Sequence, residues 1–272
     1  TRIDRFIASF SGGKDSQVVL DLCTRAIPPA AFDVIYSDTG YELPPSLDLY
    51  KEVQTYYNAK FPDLQFLMAR NHDSVLNYWD KIGSPSDNHR WCCSIMKTAP
   101  LYRMLKTKGN KQAKVLTFDG VRAEESTKRG AYVRFGRGKH TTIYNAHPIL
   151  NWNAVEIYLY LFRYNLPINE AYRYGKARVG CIICPFSSSW DDMIATKKYD
   201  EELKPFAGRL IEWSKKNRSG DVKEFIKERR WKIKAIGNTP LTNTLVSFSD
   251  ANHTFVANVV NSRYSVYTWL PS

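Results

Sequence analysis

The sequence is short of several things. No apolar run approaches the roughly 18 residues of a membrane-spanning helix, so no membrane association is expected. No basic leader followed by a short apolar stretch opens the chain, so no secretory signal is recognised and a cytoplasmic location is expected. The first residue is Thr1 rather than Met, which reads as trimming or processing. Cysteine is sparse: five among 272 residues, too few for a secreted disulfide scaffold. No cysteine follows Cys184, and neither an internal repeat nor a low-complexity segment is visible. Acidic residues are outnumbered, 27 Asp and Glu against 39 Lys and Arg, for a net charge of +12. What remains is ample for a core: 43% of residues are hydrophobic, and the length suits one large α/β domain or one domain with an appendage.

A surplus of this size favours a polyanionic partner such as nucleic acid, or an anionic substrate, although it also serves plain solubility. The surplus is uneven. Residues 127–140 hold Lys128, Arg129, Arg134, Arg137 and Lys139 and no acid. Residues 209–234 hold ten Lys or Arg against four Asp or Glu.

Periodicity predicts alternating strands and helices. "RFIASF" reads as a buried strand, "SQVVLDLCTRAI" as a helix stopped by Pro28 and Pro29, and "FDVIYSD" as a second strand. "PSLDLYKEVQTYYNAKF" is an amphipathic helix, "LQFLMAR" and "KVLTFDGVRA" are strands, and "NAVEIYLYLFRYN" is a helix ended by Pro167. This order predicts an α/β fold with a doubly wound, mostly parallel sheet covered on both faces. From about residue 205 the character shifts to basic helical segments and then to "TFVANVVNSRYSVYTWL", which alternates as a β-hairpin does. The expected division is a nucleotide-binding domain over 1–204 and a basic C-terminal extension over 205–272.

Between the first strand and the first helix stands "SGGKDS", Ser11 to Ser16. A strand, a glycine turn and a helix start make an anion site, because helix N–H groups point outward and the helix dipole favours negative charge. Gly12 and Gly13 let the backbone approach a phosphate closely. Ser11 and Ser16 supply hydroxyls, and Lys14 supplies a point charge for a pyrophosphate. Asp15 suits such a place if it holds Mg²⁺ or caps the helix. The Walker A spacing is absent, which excludes an ordinary P-loop nucleotidase.

"SGGKDS" resembles the PP-loop of the ATP pyrophosphatase superfamily, whose members cleave ATP between its α and β phosphates. "VIYSDTGYELPPSLDLY", "GVRAEESTKR" and "HPILNWNAVEIYLYLFRYNLPINEAYRYGKARVGCIICP" are similar, in order, to motifs of the phosphoadenylyl-sulfate (PAPS) reductase family. The resemblance covers about residues 5–190. It implies an adenine-nucleotide α-hydrolase-like sheet with ATP held by Ser11, Gly12, Gly13, Lys14, Asp15 and Ser16. It also implies Asp38 and Thr39 at the second strand end, Asp38 meeting Mg²⁺ or the nucleotide or else serving as a turn residue. Arg122 and Arg129 are implied to face the α-phosphate or the acceptor. Lys14, Asp15, Asp38 and Arg122 are the expected catalytic set.

Cys92, Cys93, Cys181 and Cys184 provide four thiolates, which suit a [4Fe–4S] cluster or zinc. Adjacent cysteines are awkward for tetrahedral zinc. The arrangement, with 87 residues between Cys93 and Cys181, resembles the cluster-binding pattern of adenylyl-sulfate reductases, as does "CCSIMKTAPL". Zinc and buried free thiols stay as alternatives, and Cys23 reads as core.

The resembling reductases attack with a separate cysteine near the C-terminus and carry degenerate phosphate loops. Here the loop is complete and no later cysteine is seen. Both departures point towards adenylation and resemble the sulfurtransferases of bacterial DNA phosphorothioation systems. That resemblance implies a nucleic-acid partner, DNA ahead of tRNA, a cysteine desulfurase as sulfur donor, and companion subunits. Lys128, Arg134, Arg137 and Lys139, with Tyr132 and Phe135 among them, are then expected to hold the acceptor; the other reading of Arg122, Lys128 and Arg129 is nucleotide-phosphate binding alone. A sulfonucleotide reductase or other small-molecule PP-loop enzyme, and a non-catalytic nucleotide-binding accessory subunit, remain as alternatives. His89 and His147 read as structural histidines.

Overall fold

The computed structural model describes residues 2–105, 113–138, 140–217, 221–233, 244–250 and 253–259. In chain order the elements are β1 (Arg5–Phe10), α1 (Lys14–Ala26), β2 (Phe32–Asp38), α2 (Pro44–Lys60), β3 (Gln65–Arg70) and α3 (Val75–Ile82). A π-helical turn, Cys93–Thr98, then leads into α4 (Ala99–Leu105), β4 (Val115–Phe118), α5 (Thr127–Gly130), β5 (Phe135–Arg137) and β6 (Ile143–Ala146). The chain continues through α6 (Ala154–Arg163), α7 (Ser189–Lys198), α8 (Asp200–Asn217), α9 (Val222–Lys227), α10 (Arg230–Ile233), β7 (Thr244–Asp250) and β8 (His253–Val259). No helix among the described residues is long and apolar enough to cross a membrane.

The residues divide into two compact units. The first comprises 1–38, 42–70 and 97–181. Its centre is a six-stranded sheet in the order β3-β2-β1-β4-β6-β5, parallel throughout except for the antiparallel edge strand β5. The expected α/β architecture is therefore present. Side chains of β1 alternate between two cores, as strand geometry requires. Ala8 and Phe10 enter a cluster with Val18, Val19, Leu20, Tyr50, Val53, Ile157 and Leu161, drawn from α1, α2 and α6. Ile7, on the opposite face, packs with Ile35, Ala69, Val115, Ile143 and Leu105 of α4. Helix α1 stops at Ile27 because Pro28 follows. Helix α6 starts with a reciprocal cap, in which Glu156 N–H donates to Asn153 Oδ1 at 2.9 Å and Asn153 N–H to Glu156 Oε2 at 2.7 Å.

Two local expectations need correction. The strand expected over "KVLTFDGVRA" ends at Phe118, because the chain turns there to pass α1. A Cβ on Gly120 would lie 2.8 Å from the Asp15 carbonyl carbon, so an extended side-chain-bearing strand does not fit. The basic stretch 127–140, for which periodicity predicts no element, contains α5 and β5, and β6 follows it. These strands are three and four residues long and stabilised by pairing rather than by an apolar run. Strand β8, within the hairpin expected over 254–270, pairs with β7 upstream, at Phe248 against Phe255; the rest of that expected hairpin, residues 260–272, lies outside the described residues.

The second unit comprises 39–41, 71–96 and 182–272. Its core is aromatic. Trp79 of α3 stacks with Trp213 of α8 at 5.8 Å between centroids and meets Phe206 edge-on at 5.1 Å. Phe206 stacks on Tyr41 at 5.2 Å, and the Trp79 indole N–H donates to the Tyr41 hydroxyl. Buried Tyr and Trp are stable where the polar tip finds a partner, as here. On the rim, Arg209 grips Asp80 with two bonds, Nε at 2.7 Å and Nη2 at 2.9 Å.

Candidate phosphate site and cysteine centre

The carboxyl ends of the parallel strands are where ligands gather in sheets of this kind. β1 ends there in Ser11–Gly13, β2 in Asp38, β4 in Asp119 and Gly120, and β6 in His147. Gly12 takes a φ of +72°, which disfavours a side chain, and a Cβ there would press on Ser46 at 3.3 Å. Gly13 precedes α1 in extended conformation and offers the helix start no side-chain cap. The turn is braced internally: Ser16 Oγ donates to the Gly13 carbonyl at 2.8 Å and accepts from Ser11 N–H at 3.2 Å.

Two residues far along the chain pin this loop. Asn169, buried, donates through Nδ2 to the Gly12 carbonyl at 3.0 Å and to Ser46 Oγ at 3.2 Å. The Tyr172 hydroxyl accepts from Lys14 N–H at 3.0 Å. Burial pushes the Tyr172 phenol well above its ordinary range, partly offset by that N–H donor, so it stays protonated.

The charges form a connected set. Lys14 and Arg122 are each only 4% exposed. Asp15 lies between them, with Oδ2 2.9 Å from Lys14 Nζ and Oδ1 2.6 Å from Arg122 Nε. The Lys14 ammonium also sits over the Tyr172 ring, 5.4 Å from its centroid. Burial opposes the charge on Arg122, but Glu124 and Asp15 outweigh it and hold the guanidinium above its ordinary value. Two buried cations sharing one partly buried carboxylate at a helix N-terminus favour an incoming anion. A second tier stands beside this set. Glu125 takes Arg129 on one oxygen and Arg178 on the other, the latter at 2.6 Å. Burial and the neighbouring Arg178 hold Arg129 below its ordinary value.

The expected residues are placed as follows. Ser11, Gly12, Gly13, Lys14, Asp15, Ser16 and Arg122 come together. Arg129 joins the set through Glu125, which also accepts from Arg122 N–H at 3.3 Å. Asp38 is buried at the β2 end, 3.4 Å from Arg70 Nε. Thr39 belongs to the second unit, where its hydroxyl accepts from Tyr41 N–H at 3.4 Å. Lys128, Arg134 and Arg137 are exposed on α5, the segment after it and β5, with Tyr132, Val133 and Phe135 exposed among them. Lys139 lies outside the described residues. His147 is buried, with Nδ1 2.5 Å from Asp119 Oδ1, and the Tyr132 ring lies 5.6 Å away. Asn169, Tyr172, Gly120, Glu125 and Arg178 were not singled out from sequence. Only the spacing in "NLPINEAY" offered a signal for the first two.

Of the cysteines, Cys92, Cys93 and Cys184 belong to the second unit and Cys181 closes the first. Cys93 is exposed and Cys92, Cys181 and Cys184 are partly so. Burial pushes the Cys184 thiol up, and it feels the charges of Cys93, Lys232 and Arg90, so these groups are neighbours. The Cys184 carbonyl accepts from Ser187 N–H at 3.1 Å and from Ser187 Oγ at 2.7 Å. Cys181 bridges backbone to backbone with Glu42 in the first unit. Four soft donors are the right chemistry for a cluster or zinc. Among the described residues, however, no three His, Cys, Asp or Glu side chains converge as an ion site. Cys23 is buried in the core, as expected.

Comparison with known proteins places these features in a lineage. The phosphoadenosine phosphosulfate reductase domain model matches residues 5–187. An uncharacterized protein of Methanocaldococcus jannaschii is 30% identical over 232 residues, covering 84% of this chain and 45% of its own length. A second from that organism is 32% identical over 212 residues, covering 71% of this chain and 48% of its own length. This chain thus spans about half the length of those relatives. The adenosine 5'-phosphosulfate reductase of Bacillus mycoides is 24% identical over 184 residues, 66% of this chain and 73% of that protein. Among solved structures, the phosphoadenylyl-sulfate reductase of Candida auris in its phosphate complex aligns with a TM-score of 0.51 at 23% identity. That alignment covers 66% of this chain and 82% of the other and supports the shared fold. With two thirds of its length matched in register with the phosphate loop, the arginine motif and the last cysteine pair, this chain belongs to the phosphoadenosine phosphosulfate reductase domain family.

Proposed function

We propose that this chain is an ATP-splitting sulfurtransferase that adenylates an acceptor on nucleic acid and exchanges the activated oxygen for sulfur. The observation that carries this reading is the complete Ser11–Ser16 loop with buried Lys14 and Arg122 joined through Asp15 in one charge network. Such a loop fits intact ATP, because a departing pyrophosphate needs backbone donors and a cation where its charge develops. In this reading Ser11, Gly12, Gly13, Lys14 and Ser16 hold the β and γ phosphates. Asp15 orients Lys14 and Arg122, and Asp38 is the strand-end carboxylate that meets the Mg²⁺ accompanying the nucleotide. Arg122, with Arg129 behind it, faces the α-phosphate.

The chemistry is a double displacement. An oxygen of the acceptor attacks the α-phosphorus, the bond from that phosphorus to the β-bridging oxygen breaks, and pyrophosphate leaves. The acceptor oxygen is now part of an AMP leaving group. A sulfur nucleophile from a donor, for which a cysteine desulfurase is proposed, then attacks the acceptor atom and AMP departs. Lys128, Arg134 and Arg137, with Tyr132 and Phe135 between them, are proposed to hold the acceptor backbone. The net charge of +12 supports a polyanion. DNA stands ahead of tRNA on the sequence resemblance alone, and the other subunits of a modification system remain proposed partners. Cys92, Cys93, Cys181 and Cys184 are proposed to bind a [4Fe–4S] cluster, which would supply a sulfur-rich, redox-capable centre. No step above depends on it.

The reductase relatives favour a second reading, reduction of a sulfonucleotide. One assay separates the two. ATP with nucleic acid and a sulfur donor should yield AMP, pyrophosphate and thiolated acceptor. Sulfite and AMP from adenylyl sulfate plus thioredoxin, with ATP left intact, would establish the reductase reading instead.

A further inference from the structure

The second unit carries a surface that the phosphate site does not use. Phe186 is 57% exposed, Trp190 52% and Met193 37%. Trp190, Met193 and Lys197 lie at i, i+3 and i+7 of α7, so they share its outward face. Arg90 is exposed, with its guanidinium carbon 4.7 Å from the centroid of Phe186. Arg90 stands two residues before Cys92, and Phe186 stands two after Cys184. The Arg–Phe stack therefore flanks the thiols.

The acids near this face are already engaged. Asp192 is paired with Lys232, at 2.7 Å, and with Arg229. Asp191 accepts from Ser188 N–H at 2.9 Å and from its hydroxyl at 2.7 Å. An aromatic surface is thus framed by Arg90 and Lys197. A purely apolar partner would leave those cations without a role, and a duplex hides the faces of its bases. Unpaired bases on a polyanionic backbone match both halves of the surface, because every base has a face that stacks on an aromatic ring.

We propose that the outward face of α7 and the Arg90–Phe186 stack form a platform on which unpaired bases of a single-stranded nucleic acid stack beside the thiols. This rests on the nucleic-acid reading above, and it adds that the acceptor is presented single-stranded.

The test is fluorescence anisotropy with labelled single-stranded RNA, single-stranded DNA and the matching duplex at fixed ionic strength. It uses the whole chain, with folding of every variant checked by circular dichroism. Single strands should bind more tightly than duplex. Trp190→Ala and Phe186→Ala should each weaken single-strand binding about tenfold. Trp190→Phe should retain most of the affinity, and Trp190→Leu should bind as weakly as Trp190→Ala, which a merely apolar contact would not require. Because the cations are untouched, the salt dependence should keep its slope. Wild-type binding that survives all four substitutions but falls on Arg134→Ala with Arg137→Ala would overturn the platform and leave the nucleic-acid reading in place. Absence of any binding by the wild type would overturn both. A wild-type dimer that Trp190→Ala dissociates, measured by sedimentation, would identify the face as a self-association surface and overturn the proposal.

Discussion

Lys14 combines two demands. Its ammonium is 4% exposed, yet its chemistry requires charge, and the structure reconciles these with Asp15 at 2.9 Å and the Tyr172 ring beneath. Replacing it leaves Asp15 to Arg122, so the fold should survive while the phosphate contact is lost. Charge-assisted contacts of this kind contribute about 1.5–3 kcal/mol. Lys14→Ala should therefore lower pyrophosphate release by about ten- to a hundredfold, with a circular dichroism spectrum like that of wild type. Unchanged turnover would remove the loop from the mechanism. Cys23 makes the opposite case, an ionisable group kept neutral. Burial pushes its thiol from the ordinary 9.0 to about 12. The folded state thus favours the protonated form, and its contribution to stability is complete below pH 9.0 and lost as the pH climbs towards about 12. At pH 8, alkylation followed by mass spectrometry should modify exposed Cys93 and spare Cys23. Labelling of Cys23 in folded protein would contradict its burial.

Element by element, the phosphate loop depends on a segment more than 150 positions away. Asn169, 157 residues from Gly12, spends both amide hydrogens on that loop and on Ser46 at the start of α2. Asn169→Ala leaves the Gly12 carbonyl and the Ser46 hydroxyl without that donor, a loss of about 1–3 kcal/mol for buried groups. We expect a lower thermal midpoint and weaker ATP binding by calorimetry, with Asn169→Asp restoring neither, since a carboxylate has no amide hydrogens to give. A nucleotide affinity equal to wild type would show that the loop holds its shape alone. The strand–loop–helix unit itself, β1 to α1, was legible in the sequence, because alternating apolar residues, two glycines and a following amphipathic run dictate it locally. Its pins were not, because a single Asn or Tyr carries no local signal of a partner 157 or 158 residues distant.

The largest question for the whole molecule concerns the four thiols. If Cys92, Cys93, Cys181 and Cys184 share a [4Fe–4S] cluster, protein purified without oxygen should be brown and hold about four irons per chain. Replacing any one of the four by Ser should bleach it, and Cys23→Ser should keep the colour. One zinc and no iron under the same conditions would overturn the iron–sulfur assignment. It would leave the ATP-splitting reading standing, because the phosphate loop rests on separate residues.

Periodicity and punctuation suffice for what is local here. The β-α-β order, the glycine turn, the proline stops and the uneven basic charge all follow from residues within a few positions of one another, and the family follows from motifs in fixed order. The tertiary structure alone decided which strands of marginal length survive. β5 and β6 exist because their neighbours supply hydrogen bonds that three or four residues cannot supply themselves. It alone set the fate of the charges as well. Asp15, adjacent to a lysine in sequence, is also paired with Arg122 from 107 residues away, because a buried guanidinium must be paired and folding brings that carboxylate to it.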